Sequence, residues 1–238
     1  MSPAPSTTRP PSVWEDLLEV VYAPRAVFTR RVPYQAFGAA MVILTIASAA
    51  IFFATRQSLE PIFDATVTQQ IAEIHRQNPQ LKEEQLQGIQ GWIKFGISAT
   101  ILAAPILFPL IGGLLLWGTG KFFDSKAELG GMMMVSTYSY VPRLLGFVAS
   151  SVLAVVLPED QIGTFFSISF SAAHFAPPGT TQAMLAVLAR ADLFLFWQMA
   201  LMAVGVAVLG KISMGKAAAV ALIVWALGMV PAVPGLLR

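Results

Sequence analysis

The chain has 238 residues, 56% of them hydrophobic and only 12% charged, roughly half the ~25% charged content of soluble domains. So few polar side chains cannot cover a water-facing surface, so the implied solvent is lipid, and a mean hydropathy of +0.68 agrees. A formal charge of +2 with no basic, aromatic-interleaved patch excludes nucleic acid as a partner, and zero cysteines exclude disulfides and thiolate chemistry.

Residues 1–12, MSPAPSTTRPPS, are rich in Pro, Ser and Thr, which predicts a disordered tail without the character of a signal peptide. Ser12 with Glu15 three residues on is a capping-box pattern. It opens a helix that gathers Val13, Leu17, Val20 and Val21 on one face, with Trp14 near its edge. After Ala23–Pro24 a second short piece carries Arg25, Arg30 and Arg31 around Val27 and Phe28. Residues 13–35 thus read as a cytoplasmic or interfacial amphipathic segment. It either lies on the membrane with its arginines towards the headgroups, or packs on the protein's own cytosolic face.

The first expected span is 36–54, free of charge and closed by Arg56, which suits a hydrocarbon core of about 30 Å. Leu59, Phe63, Val67, Ile71 and Ile74 then recur at helical spacing, so 58–94 is read as extramembrane helices. Asn78–Pro79 looks like a cap followed by proline at the first helical position, with Glu83 and Glu84 favouring the helix start. That helix runs into the second span, 95–120, where Pro105 and Pro109 predict a kink. The third span is 129–157. Its main part starts at Val141, because Pro142 biases the preceding residue away from helix; 129–140 is an entry segment or the first half of a longer helix. Residues 162–175 are short for a span and read as interfacial or re-entrant. The fourth and fifth spans are 193–209 and 217–236, giving an all-α bundle of five spans over 36–237. No internal repeat supports an inverted-repeat transporter. Arg25, Arg30 and Arg31 precede the first span, and the loops after the second and fourth carry Lys121, Lys126, Lys211 and Lys216. The positive-inside rule therefore makes the N-terminus cytoplasmic.

No catalytic, cofactor or metal residue emerges. There is no GxSxG, HExxH, Walker loop or GxGxxG. His75 and His174, the only histidines, read as solvated and interfacial. Arg143 matters more, since a charge within a span is by default a functional hypothesis with a partner to be named. If 129–157 is one helix, Arg143 sits near mid-membrane and Asp192 is its best counter-charge, although this topology puts the two on opposite sides. If the span starts at Val141, Arg143 snorkels to the headgroups. Gln198 is placed to bond across helices, and Ala203, Gly205 and Ala207 offer a small-residue packing face.

At these residues the chain resembles a known family. YAPRAVFTRR before the first span, TYSYVPRLLG at the third, and DLFLFWQMALMAVGVAVLGKISMGKAAAVAL over the last two are together similar to the Yip (Ypt-interacting-protein) domain family, prokaryotic type. The likeness covers roughly Asp16 to Leu236. It implies five spans, a cytoplasmic N-terminus and no enzymatic activity. Tyr138 and Ser139 match the family's Gly-Tyr-Ser-like motif, with Thr137 in place of glycine, and Tyr140, Pro142 and Arg143 follow directly. The Asp-Leu-Tyr-Gly-Pro motif tied to small-GTPase binding in eukaryotic members has no counterpart beyond YAP at Tyr22–Pro24, which argues against such a partner. The expectation is a multi-pass protein of the inner membrane, if bacterial. Its partners are the bilayer and other membrane proteins or copies of itself, and its role is to organise them. The alternative is a carrier or channel for a small solute or lipid, with a polar path near Arg143.

Overall fold

The computed structural model describes residues 12–158, 164–177 and 179–230. The tail expected over 1–12 falls outside it except for Ser12. Also outside are Glu159, Asp160 and Ile162 of the stretch after the third span, and the end of the expected fifth span from 231 onward. Among the described residues the chain is helical and without strands; the one β-type pairing is an isolated bridge between Ser171 and Asp192.

Two short helices come first: α1, Val13–Glu19, and α2, Pro24–Arg31. Ser12 caps α1 by accepting from the Glu15 amide. The bundle is then built on an antiparallel pair, α3 (Gly38–Gln77, 40 residues) and α4 (Glu83–Lys121, 39 residues). At 1.5 Å per residue each runs to about 60 Å, twice a hydrocarbon core, so the pair extends well beyond any membrane it crosses.

Sequence and structure part at this pair. The first span and the amphipathic helix after it are one unbroken helix, which carries on through Pro61. Burial on either side of the proline explains this: Leu59, Ile62, Phe63 and Val67 are all packed away, and such contacts outweigh one lost backbone hydrogen bond. Lys94 of α4 pairs with Asp64 and lies 3.8 Å from Glu60, tying the extension together. Asn78 does not open the next helix. It ends α3, its amide donating to the Ile74 carbonyl, and α4 starts at Glu83 after Gln85 caps the Lys82 amide.

Next come α5, Leu129–Tyr138, and α6, Val141–Val156, separated by a turn at Ser139–Tyr140 with Pro142 in the first turn of α6. Together they form one apolar stretch of 28 residues. α4 and α5 touch backbone to backbone: a Cβ on Gly113 would lie 2.7 Å from the Met133 Cα. Residues 164–171 are irregular and lead into a 3-10 turn, Ala172–Phe175. Then follow α7 (Gln182–Leu188), α8 (Leu193–Gly210) and α9 (Met214–Leu227). Among the described residues four stretches are long and apolar enough to cross a membrane: α3, α4, α5–α6 and α8; α9 is apolar but spans 14 residues.

The core has two parts. The larger surrounds Phe28, Leu44, Leu116, Val135, Tyr138 and Val206, joining the N-terminal helices to α4, α5, α8 and α9. The smaller, around Phe52, Leu59, Ile62, Phe63, Ala154 and Ile168, joins α3 to the far half of α6.

Candidate functional site

The first site is where the N-terminal helices dock. Leu17, Val20, Val27 and Phe28 are buried against the bundle, and Asp16 goes in with them, fully buried. Its carboxylate accepts from Arg30 and, at 2.5 Å, from Arg31 Nε; Arg30 also bonds Glu19 at 2.5 Å. The bonds to Glu19 and Asp16 hold the Arg30 guanidinium protonated well above its ordinary range. Arg31 is itself 4% exposed and lies 4.8 Å over the centre of the Tyr138 ring, a cation–π contact. Asp16 therefore holds α1 to α2, and Arg31 holds both to α5. The sequence singles out Tyr138 but not Asp16, yet a signal for Asp16 was there. Asp16 lies on the same helical face as Val13, Leu17 and Val20, where a solvated charge does not belong.

The second site is a cavity of about 380 Å³ between α3, α4, α6, the 164–171 segment and the start of α8. The helix period of α6 builds it. Arg143, Phe147, Ser150, Ser151 and Ala154 recur at spacings of three and four and face inward, while Val148, Val152 and Val155 face out. Arg143 Nη1 stands 3.8 Å from Asp192 Oδ1. The two charges meet because α8 begins level with the start of α6, so Asp192 lies at the depth of Arg143 and not across the membrane from it. Asp192 is also the cap of α8, accepting from the Leu195 amide at 2.8 Å. Nearby Arg190 gives a hydrogen bond to the Trp225 carbonyl at 3.1 Å. Burial, and secondly the charge of Arg143, depress the Arg190 pKa.

The remaining residues named from sequence divide between these places. Tyr138 and Ser139 are fully buried in the larger core, each with a hydroxyl that has no hydrogen-bond partner. Tyr140 lines the cavity, and Pro142 is buried beside it. Gln198 is buried on the inner face of α8. Gly205 lies where α8, α5 and α2 meet: a Cβ there would stand 2.5 Å from Val135 Cγ1 and 3.1 Å from Phe28 Cε2. His174 shares a cavity with Glu73, and no three His, Asp or Glu side chains converge as metal ligands among the described residues.

The two lysine-bearing loops lie side by side at the end of the bundle where α1 and α2 dock. The Lys126 amide donates to the Gly210 carbonyl at 3.0 Å, and Tyr22–Ala26 line one cavity with Ile212–Met214. Lys216 donates to Asp124 Oδ2 at 2.9 Å; this bond first, and the lysine charge second, hold the Asp124 carboxyl below its usual range. A carboxyl that titrates lower when folded stabilises the fold above its unfolded pKa of about 3.9, and that contribution is lost as pH falls through the folded value. Asp124→Asn is therefore expected to flatten the acid limb of a melting-temperature series between about pH 6 and pH 3. Superposable profiles would show that the contact contributes nothing.

No curated protein matches the chain, and no solved structure does either. A family model does, that of the Yip1 domain, over residues 18–233. That match takes in the docked end of α1, the Tyr138–Arg143 stretch and the whole of α8. The chain belongs to the Yip1 domain family.

Proposed function

We propose that this chain is a non-enzymatic, five-span membrane protein that organises membrane or partner proteins through its N-terminal helices. Its N-terminus is cytoplasmic and, in a bacterium, its location is the inner membrane. The observation that carries this reading is the outward side of α1 and of the turn after it. Trp14 and Leu18 on the helix and Tyr22 in the turn are 64%, 70% and 78% exposed, while Leu17 and Val20 behind them are buried. A segment clamped by buried charges with three large apolar groups facing out is a preformed contact surface.

The fifth span is read at α9, whose 14 residues reach about 21 Å before Gly228 ends the helix. The arginines of α2 and the four loop lysines gather at one end, which supports a cytoplasmic placement of that end. The packed interior favours organisation over transport. Between the Arg143 cavity and the lysine-loop end, Leu116, Met134, Val135, Leu201 and Val206 fill the bundle.

Photo-crosslinking in intact membranes tests the proposal, using benzoylphenylalanine at positions 14, 18 and 22 with buried position 17 as control. Discrete protein adducts at the three outward positions, absent at 17, are the expected result. Adducts with lipid alone would make the stripe a membrane anchor and end the partner reading.

A further inference from the structure

We propose that the cavity at Arg143 is a binding site for a single-chain anionic amphiphile, with the acidic head at Arg143 and the acyl chain between α4 and α6. Four observations converge on this. The volume of about 380 Å³ is at the small end of the roughly 300–1,000 Å³ of small-molecule pockets, which suits one chain and not a two-chain lipid.

The lining mixes polar and apolar groups. Ser48, Thr100, Ser169 and Ser171 lie among Ile101, Ala104 and Phe108, and the inward face of α6 presents Arg143, Ser150 and Ser151. This reverses the economy of an ordinary membrane helix, which spends its inward face on packing; an intramembrane polar face directed into a cavity is there to meet something.

Arg143 is loosely held at the head end. Asp192 has a capping bond to make, and its contact with Arg143 is 3.8 Å. Arg143, 38% exposed, therefore has free donors to offer an acidic head.

Finally, Ser151 Oγ is buried in the lining without a hydrogen-bond partner; about 12 Å along α6 from Arg143, it is a group that a water beside the bound chain would satisfy. Entry is from the side: Phe108 forms part of the lining and is 49% exposed on the outward surface of α4. A chain dissolved in the bilayer therefore reaches the cavity without crossing water.

The test uses the full chain purified in detergent and a diazirine-bearing palmitate as probe, with adducts mapped by peptide mass spectrometry. Label is expected within residues 101–108 and 144–151. Oleate should compete at least tenfold better than oleyl alcohol, which has the same chain without the charge. Arg143→Gln should abolish that preference and Arg143→Lys retain most of it. Ser150→Leu, which fills the cavity, should cut labelling at least tenfold by a different route. Gel filtration establishes that each variant is folded, and if Ser150→Leu is not, the Gln and Lys pair decides alone. Dioleoylphosphatidylglycerol, a two-chain anionic lipid, should compete at least tenfold more weakly than oleate, and competition as strong as oleate overturns the single-chain assignment. Equal competition by oleate and oleyl alcohol, or label lying outside the cavity, overturns the proposal.

Discussion

Asp16→Ala is expected to release the N-terminal helices from the bundle, at a cost of about 3–5 kcal/mol, the range for removing one partner of a buried ion pair. The figure applies to the Asp16–Arg31 pair, where the side chains are 1% and 4% exposed; Arg30, at 39%, is screened by solvent and adds little. Truncation removes the buried carboxylate to which Arg31 donates beside the Tyr138 ring. Limited trypsin digestion reads this directly, because Arg25, Arg30 and Arg31 lie in α2 and are cut only when it opens. A loss of 3 kcal/mol corresponds to cleavage roughly a hundredfold faster. The double variant Asp16→Leu/Arg31→Met should recover much of the protection, since a buried pair replaced by apolar groups of similar volume is often neutral. Wild-type cleavage rates in Asp16→Ala would mean that packing of Leu17, Val20 and Phe28 holds the segment without the charges.

Gly205→Ala is expected to cost about 1–3 kcal/mol, the range for overpacking a filled core. One added methyl would stand 2.5 and 2.8 Å from the two γ-carbons of Val135 and 3.1 Å from Phe28, so α8 must move away from α5 and α2 together. None of the three has slack: Val135, Phe28 and Val206 are each fully buried. The thermal midpoint in detergent, followed by circular dichroism, should fall accordingly. Val135→Ala in the same chain should return part of the loss by making room for the methyl. The two substitutions are thus less than additive, as contacting residues are. Full additivity would show that the strain lies elsewhere.

These two sites differ in how visible they are along the chain. Gly205 stands among Ala203 and Ala207 within an apolar run, a local pattern that marks close helix approach before any neighbour is known. Asp16 also carries a local mark, a charge in phase with Val13, Leu17 and Val20, but nothing nearby in sequence names its partners. They lie 14 and 15 residues on, across a turn. The same holds for Arg143 and Asp192, which are far apart in the chain and seemed to face opposite sides as long as every helix was taken to cross the whole membrane.

Sequence alone determined the class of object. A composition of 56% hydrophobic residues leaves lipid as the solvent, helical periodicity within apolar runs follows from the need to satisfy every backbone group there, and the order of those runs carried the family resemblance that the Yip1 domain match bears out. Pro142 marked the break between α5 and α6 through the steric bias it places on the residue before it. Only the tertiary structure decided that α3 continues through Pro61, that Asp16 and Arg31 are buried together, and that Arg143 opens on a cavity. Each of these depends on the depth at which helices begin and on which faces meet. Long-range packing sets those quantities, and local periodicity does not carry them.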